Sequence, residues 1–240
     1  MQAVGLVVPC RNEERRLRPK AFFDALNALP GLSFVFVDDG STDATADILE
    51  RMAYQSPHVD WLQLARNQGK AEAVRQGMRT LLEKRVDVVG FWDADLATPL
   101  EELPAMLREL DEREGCVAVL GVRWAHLGAS IDRSTGRGIA GKVMRSLIRL
   151  VSGYPFVDTQ CGAKIFRRSL AENLFKRRFI SRWLFDVELL LRIPRGDLWR
   201  VSELPLRFWH DVPGSKLTWL DTFRILPDLL KIAIHRRSVL

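Results

Sequence analysis

The sequence predicts an α/β domain: a doubly wound, mostly parallel sheet flanked by helices, with a helical region following it. Three observations predict this. Short apolar runs end in acidic turns, Phe34-Val35-Phe36-Val37 entering Asp38-Asp39-Gly40-Ser41-Thr42-Asp43 and Val86–Trp92 entering Asp93-Ala94-Asp95. Such runs read as buried parallel strands with acids at their carboxyl ends. Segments of helical period alternate with them through residue 122, as right-handed β-α-β units require. No Pro/Gly-rich linker divides the 240 residues, so the chain reads as one domain, its parts being 1–122, 123–217 and a helical tail 218–240.

Each element has its own signal. Val4 to Val8 is a strand running into Pro9-Cys10-Arg11-Asn12-Glu13-Glu14, and a helix is expected from about Arg16 to Leu29. Ser33–Val37 is the second strand. After its acidic turn, Ser41 or Thr42 is a candidate cap for a helix carrying Ala44, Ile48, Leu49 and Met52 at helical spacing. Val59–Leu64 is the third strand, followed by Arg66-Asn67-Gln68-Gly69-Lys70 and a helix that buries Ala73, Val74, Met78 and Leu81. The fourth strand ends at Asp93, Pro99 opens a helix to about Asp111, and Val117–Val122 is the fifth strand. Beyond it the rhythm changes: a loop at 123–138, a helix near 139–151, a loop at 152–164, helices near 168–177 and 183–192, and short strands around 198–210.

Composition narrows the class. Hydrophobic residues make up 47% and charged residues 28%, enough for an ordinary core and against disorder. Cys10, Cys116 and Cys161 are widely spaced and form no CxxC, so a reduced, cytoplasmic setting is expected and a zinc site is not. The first strand starts close to Met1, so no signal peptide is expected, and no eighteen-residue stretch is free of charge. The net charge of +6 is divided: residues 1–122 carry 14 Lys/Arg and 20 Asp/Glu, residues 123–240 carry 22 and 10. A cation site followed by a surface for something anionic fits that division. A phosphorylated acceptor or an anionic membrane surface suits the basic part; nucleic acid does not, because no nucleic-acid motif accompanies the charge.

The carboxyl edge of an open α/β sheet is where ligands bind. Carboxylates gathered there repel one another unless they hold hydroxyl groups or a hard cation such as Mg²⁺ or Mn²⁺. Asp93 and Asp95 are therefore the candidate metal ligands of a nucleotide site, with Asp38 and Asp39 on an earlier strand. Gly69-Lys70 at a helix start offers N–H groups and a point charge to a diphosphate. Neither a P-loop nor a dinucleotide fingerprint is present. His58, His126, His210 and His235 fit no ligand pattern and read as structural or exposed.

Taken together, Val7–Glu14, Val37–Asp43, Asn67-x-Gly69-Lys70, Asp93-Ala94-Asp95, Asp158-Thr159-Gln160-Cys161-Gly162-Ala163-Lys164, Trp183–Leu190 and Pro213-Gly214-Ser215-Lys216-Leu217 resemble family 2 glycosyltransferases of GT-A fold. The later motifs resemble the polyprenyl-phosphate branch, whose members glucosylate or mannosylate dolichyl phosphate and similar lipids. The resemblance implies an inverting transfer of a hexose from a nucleotide diphosphate sugar to a polyprenyl phosphate, dolichyl or undecaprenyl. It places Pro9, Asn12, Glu13, Asp38 and Asp39 at the nucleoside, Lys70 at the diphosphate, and Asp93 and Asp95 at ribose and metal. Arg123, Arg133 and Lys216 fall to the acceptor's phosphate, which Arg binds bidentately. Asp158 and Glu188 match motif acids near the reaction centre and are candidates for a base if the acceptor is a hydroxyl. Mannosyl members often follow D-A-D with Leu-Gln-His-Pro; here Leu96-Ala97-Thr98-Pro99 puts Ala97 where that Gln would reach the metal. The departure favours UDP-glucose over GDP-mannose. A glycan or small-molecule hydroxyl as acceptor, or a nucleotide-sugar-binding protein without turnover, are the competing readings. Basic amphipathic segments at 139–151 and in the tail suit an enzyme lying peripherally on the cytoplasmic face of a membrane.

Overall fold

The computed structural model describes residues 2–124, 126–132, 153–154, 156–182, 184–212, 228 and 231–232. The elements run β1 (Val4–Cys10), α1 (Pro19–Ala28), β2 (Leu32–Asp38), α2 (Thr45–Gln55), β3 (Val59–Gln63), α3 (Lys70–Leu82), β4 (Val88–Trp92), α4 (Leu103–Glu112), β5 (Ala118–Val122), β6 (Ser130–Asp132), β7 (Ala163–Arg167), α5 (Arg168–Leu174), α6 (Phe185–Leu191), β8 (Val201–Pro205) and β9 (Phe208–His210). Seven strands form one sheet in the order β3-β2-β1-β4-β7-β5-β8, while β6 and β9 pair as a separate ribbon. All pairings in the large sheet are parallel except those of β7, which runs antiparallel to both β4 and β5.

Register decides where the loops meet. Cys10 lies opposite Asp38 and Asp38 opposite Gln63, so β1, β2 and β3 end together. Because β7 is reversed, its first residue Ala163 lies opposite Trp92, the last of β4. The chain entering β7 is thereby delivered to the same edge as the turn leaving β4.

Both faces of the sheet are covered, as a parallel sheet demands. One layer packs α3, α5 and α6 on Val7, Val35, Val37, Phe91 and Phe166; the other packs α1, α2 and α4 on Leu6, Phe34, Phe36, Trp92 and Ile165. In α4 the apolar residues Leu103, Met106 and Leu110 recur at helical spacing and are buried. Phe22 of α1 meets Phe34 and Phe36 edge-on, its ring centroid 5.3 and 5.0 Å from theirs. Edge-to-face pairs add about 0.5–1.5 kcal/mol each beyond burial.

The structure departs from the sequence expectation in the middle of the sheet. The sequence reads as a loop to 164 with no element at 165–167, but Ala163–Arg167 form β7; Lys164 within that strand hides its apolar character. Neither Ser41 nor Thr42 caps α2. Asp43 Oδ1 accepts the N–H of Thr45 instead, at 3.1 Å, and Ser41 is committed to Asp38. The helix expected at 139–151 and most of the tail lie outside the described residues, although Asp228 and Lys231–Ile232 are helical and Ile232 is buried. No helix among the described residues is long and apolar enough to cross a membrane.

Candidate functional site

The loops after β1 and β2 interlock. Asn12, at φ 51°, donates its N–H to Ser41 Oγ at 2.9 Å and accepts the Thr42 N–H on Oδ1 at 2.9 Å. The Glu13 N–H reaches Thr45 Oγ1 at 2.8 Å, and the Glu13 carboxylate receives Arg16 at 2.5 Å. Asp38 Oδ1 accepts the Ser41 N–H at 3.0 Å together with the Ser41 hydroxyl, while its Oδ2 is buried without a hydrogen-bond partner among the described residues. Asp39 receives the N–H groups of Gln68 and Gly69 at 2.5 and 2.8 Å, fixing the start of α3. Between the two turns Gly40 is required: it sits at φ +65°, and a β-carbon there would lie 2.7 Å from the Arg66 backbone. Arg182 closes this side, bonding Asn67 Oδ1 at 2.8 Å and the Gln68 carbonyl at 3.1 Å. Sequence reasoning missed Arg182, whose partners lie far away in the chain.

Asp93 and Asp95 follow β4 on a turn held by the Trp92 indole, which donates to the Thr98 carbonyl at 2.7 Å. Leu96 takes φ 53°, and Asp95 Oδ1 accepts the Ala97 N–H at 3.1 Å. Lys70 Nζ lies 2.5 Å from Asp93 Oδ1. Burial opposes ionisation of Asp93, but the charges of Lys70, Lys164 and Arg123 outweigh it and hold its carboxyl below the ordinary range. Asp95 goes the other way: burial, then the like charge of Asp93, push its proton affinity up. Lys70 is kept protonated against burial by Asp93, Asp186 and Asp95. The backbone of Gly162 lies against the far side of Asp93, where a β-carbon would fall 1.8 Å from Oδ2.

A second charged pair borders the first. Arg123, just past β5, grips Asp158 with Nε on Oδ2 at 2.7 Å and Nη2 on Oδ1 at 2.8 Å, and its guanidinium lies 5.4 Å from the Trp209 ring. Burial works against Asp158's charge, yet Arg123 lowers its pKa to about 2. Glu203 Oε1 accepts the N–H groups of Val157 and Asp158 at 2.8 and 3.2 Å, seating the loop. Thr159 Oγ1 and Gln160 Nε2 in that loop are buried without hydrogen-bond partners among the described residues.

The donor set suits a hard divalent cation. Asp93 has a cation in Lys70, whereas Asp95 faces the negative charge of Asp93 while its Oδ1 accepts the backbone N–H of Ala97. Among the described residues no three His, Cys, Asp or Glu side chains converge into a cage. An ion held here by two carboxylates would complete its shell with water and diphosphate oxygens, the ordinary Mg²⁺ arrangement.

The sequence profile of glycosyl transferase family 2 matches residues 6–175. The chain belongs to that family. A dolichyl-phosphate beta-glucosyltransferase of Trichomonas vaginalis is 32% identical, covering 98% of this chain and 74% of its own length. Proteins of the same name from Drosophila melanogaster and Homo sapiens are 36% and 31% identical, covering 93% and 97% of this chain and 73% and 75% of theirs. Crystal structures of glucosyl-3-phosphoglycerate synthase from Mycobacterium tuberculosis share the fold. The complex with Mn²⁺, UDP-glucose and phosphoglyceric acid superposes with a TM-score of 0.67 at 22% identity, covering 97% of this chain and 80% of that one. The fold is GT-A, as the sequence resemblance implied.

In this glycosyltransferase the geometry brings together most of the residues expected at the donor. Asn12, Glu13, Asp38, Asp39, Lys70, Asp93 and Asp95 gather at one sheet edge with Pro9 on β1, though Asn12 and Asp39 spend their polar atoms bracing loops. Arg133 and Lys216 lie outside the described residues. Glu188 does not present a free carboxylate: Oε2 accepts the Ile180 N–H at 2.7 Å, Oε1 receives Arg192 at 2.8 Å, and the residue is buried. Asp158, with both oxygens held by Arg123, is likewise a brace. His210, read as structural or exposed, is exposed and contributes its backbone N–H to the Ala97 carbonyl at 2.9 Å, tying the β6–β9 ribbon to the Asp93 turn.

Proposed function

We propose that this glycosyltransferase transfers glucose, with inversion, from UDP-glucose to a polyprenyl phosphate, using Mg²⁺ or Mn²⁺, while lying peripherally on the cytoplasmic face of a membrane. The observation that carries the reading is the loop 158–162. At one end Asp158 grips Arg123; at the other Gly162 touches Asp93. A cationic subsite and a carboxylate pair thus border one short span of backbone. The names of the relatives support glucose and a polyprenyl phosphate as substrates.

Asp38 Oδ2, buried and unpartnered, suits an N–H of the nucleobase, and Thr159 and Gln160 offer polar atoms to sugar hydroxyls. Lys70 lies where negative charge grows on the departing diphosphate, and such preorganised charge is often the largest part of catalysis. A cation on Asp93 and Asp95 would supply further charge neutralisation there. Arg123, oriented by Asp158, holds the acceptor phosphate with Arg133 and Lys216. A phosphate oxygen of the acceptor attacks the anomeric carbon as the bond to the diphosphate breaks. That oxygen is already anionic near neutral pH, so no general base is required, consistent with Asp158 and Glu188 serving as braces.

GDP-mannose is the second donor to test, and Ala97 argues against it. The purified protein is incubated with UDP-[¹⁴C]glucose or GDP-[¹⁴C]mannose, polyprenyl phosphate and Mn²⁺, and label passing into organic solvent is counted. Glucose label in the lipid fraction supports the reading; transfer to an added glycan or to water alone overturns the acceptor assignment.

A further inference from the structure

Lys164 is wholly buried in β7, and neither the donor nor the acceptor assignment uses it. Its ammonium donates to the Cys161 carbonyl at 2.5 Å and to Asp186 Oδ1 at 2.6 Å, and lies 5.1 Å from the centre of the Phe91 ring. The Asp186 side chain is only 7% exposed. A buried ion pair is poor value as a stabiliser, because apolar residues of similar volume often do as well or better. Its position in the fold offers another use.

The carbonyl that Lys164 holds belongs to the peptide joining Cys161 to Gly162. Register places Phe91 opposite Lys164 and Trp92 opposite Ala163, so the next residues outward, Asp93 and Gly162, meet where Gly162's bare α-carbon abuts Asp93 Oδ2. On the other side of Asp93 stands Lys70, which shares the Phe91 and Phe185 rings at 6.0 and 5.9 Å. Asp186, at the start of α6, is among the charges favouring the Lys70 ammonium. The pair therefore reaches Asp93 from both directions, through the Gly162 backbone and through Lys70.

We propose that Lys164 and Asp186 are positioning residues for the donor site: by fixing the Cys161–Gly162 peptide they set the attitude of the Asp93 carboxylate towards the metal and the diphosphate. The inference rests on the donor half of the function proposed above and not on the acceptor. Outer partners of metal ligands typically change metal affinity by ten- to a hundredfold when removed.

The test separates positioning from folding. The double variant Lys164→Met/Asp186→Leu removes both charges and keeps the volume filled, and its thermal melt is compared with wild type. UDP binding is then titrated calorimetrically with Mn²⁺ and again in EDTA. The expected result is a melt close to wild type, Mn²⁺-dependent UDP affinity roughly ten- to a hundredfold weaker, and a much smaller change in EDTA. Wild-type Mn²⁺-dependent affinity overturns the proposal, whatever the melt. If the double variant fails to fold, the isosteric Asp186→Asn carries the test in the same titration: weaker Mn²⁺-dependent binding supports positioning, and unchanged binding overturns it. Because no acceptor is present, a protein that binds UDP with Mn²⁺ yet fails to glucosylate polyprenyl phosphate overturns the acceptor reading alone.

Discussion

Gly162 lies so close to Asp93 that a single added methyl group would fall 1.8 Å from the carboxylate oxygen Oδ2. The contact explains why a glycine stands between Cys161 and Ala163 with no turn to require it. Gly162→Ala must displace either the Asp93 side chain or the loop behind it. The expected outcome is a folded protein with donor kcat/KM reduced on the order of a hundredfold, since a misplacement of about 1 Å at a reacting group costs that much. Steady-state kinetics beside a thermal melt checks it; wild-type kinetics would show that the contact has no functional weight.

Among the described residues Asp95 has no ion pair, while its neighbour Asp93 has one with Lys70. Asp95→Asn keeps the shape and the Ala97 bond but loses a charged ligand, so activity should fall by about 10²–10³, the size of a lost transition-state contact. Excess EDTA should abolish activity in the wild type and Mn²⁺ should restore it. Full activity in EDTA would sink the metal assignment.

Arg123 and Asp158 should separate the acceptor from the donor. Arg123→Ala removes a charge-assisted contact, about 1.5–3 kcal/mol, so the acceptor KM should rise roughly ten- to a hundredfold with donor affinity near wild type. Arg123→Lys should recover only part, because Lys lacks the planar fork. An unchanged acceptor KM would return Arg123 to a purely structural role beside Asp158.

The same pair fixes an acid limb of stability. Asp158 titrates at about 2 when folded against an ordinary 3.8, so the unfolded chain takes up the proton first. The contribution is complete above the unfolded value and is lost as pH falls through the folded one. By linkage it is about 2 kcal/mol, disappearing between roughly pH 5 and pH 1. Urea unfolding against pH should show that loss in the wild type and a shallower limb in Asp158→Asn; identical limbs would count against it.

How far the molecule could be read beforehand depends on the range of the forces. The first five strands and the carboxylate turns were legible because their signals are local: an apolar run, then Asp. β7 was not, because Lys164 sits inside it, its charge met by Asp186, 22 residues further on, and by the Cys161 carbonyl. The engagement of Asp158 by Arg123, 35 residues away, was equally hidden, so a motif acid read as a candidate base. The motif resemblance puts Asn12 at the nucleoside, while its hydrogen bonds across 29 and 30 residues show it bracing the turn after β2.

Transfer of glucose to a polyprenyl phosphate by this family 2 glycosyltransferase is read from lipid-extractable label. With Mn²⁺, polyprenyl phosphate and equal concentrations of UDP-[¹⁴C]glucose or GDP-[¹⁴C]mannose, the expected result is label in the lipid fraction from UDP-glucose, with the higher kcat/KM. Label from GDP-mannose at higher kcat/KM would contradict the donor, and no lipid label from either, with donor still consumed, would contradict the acceptor.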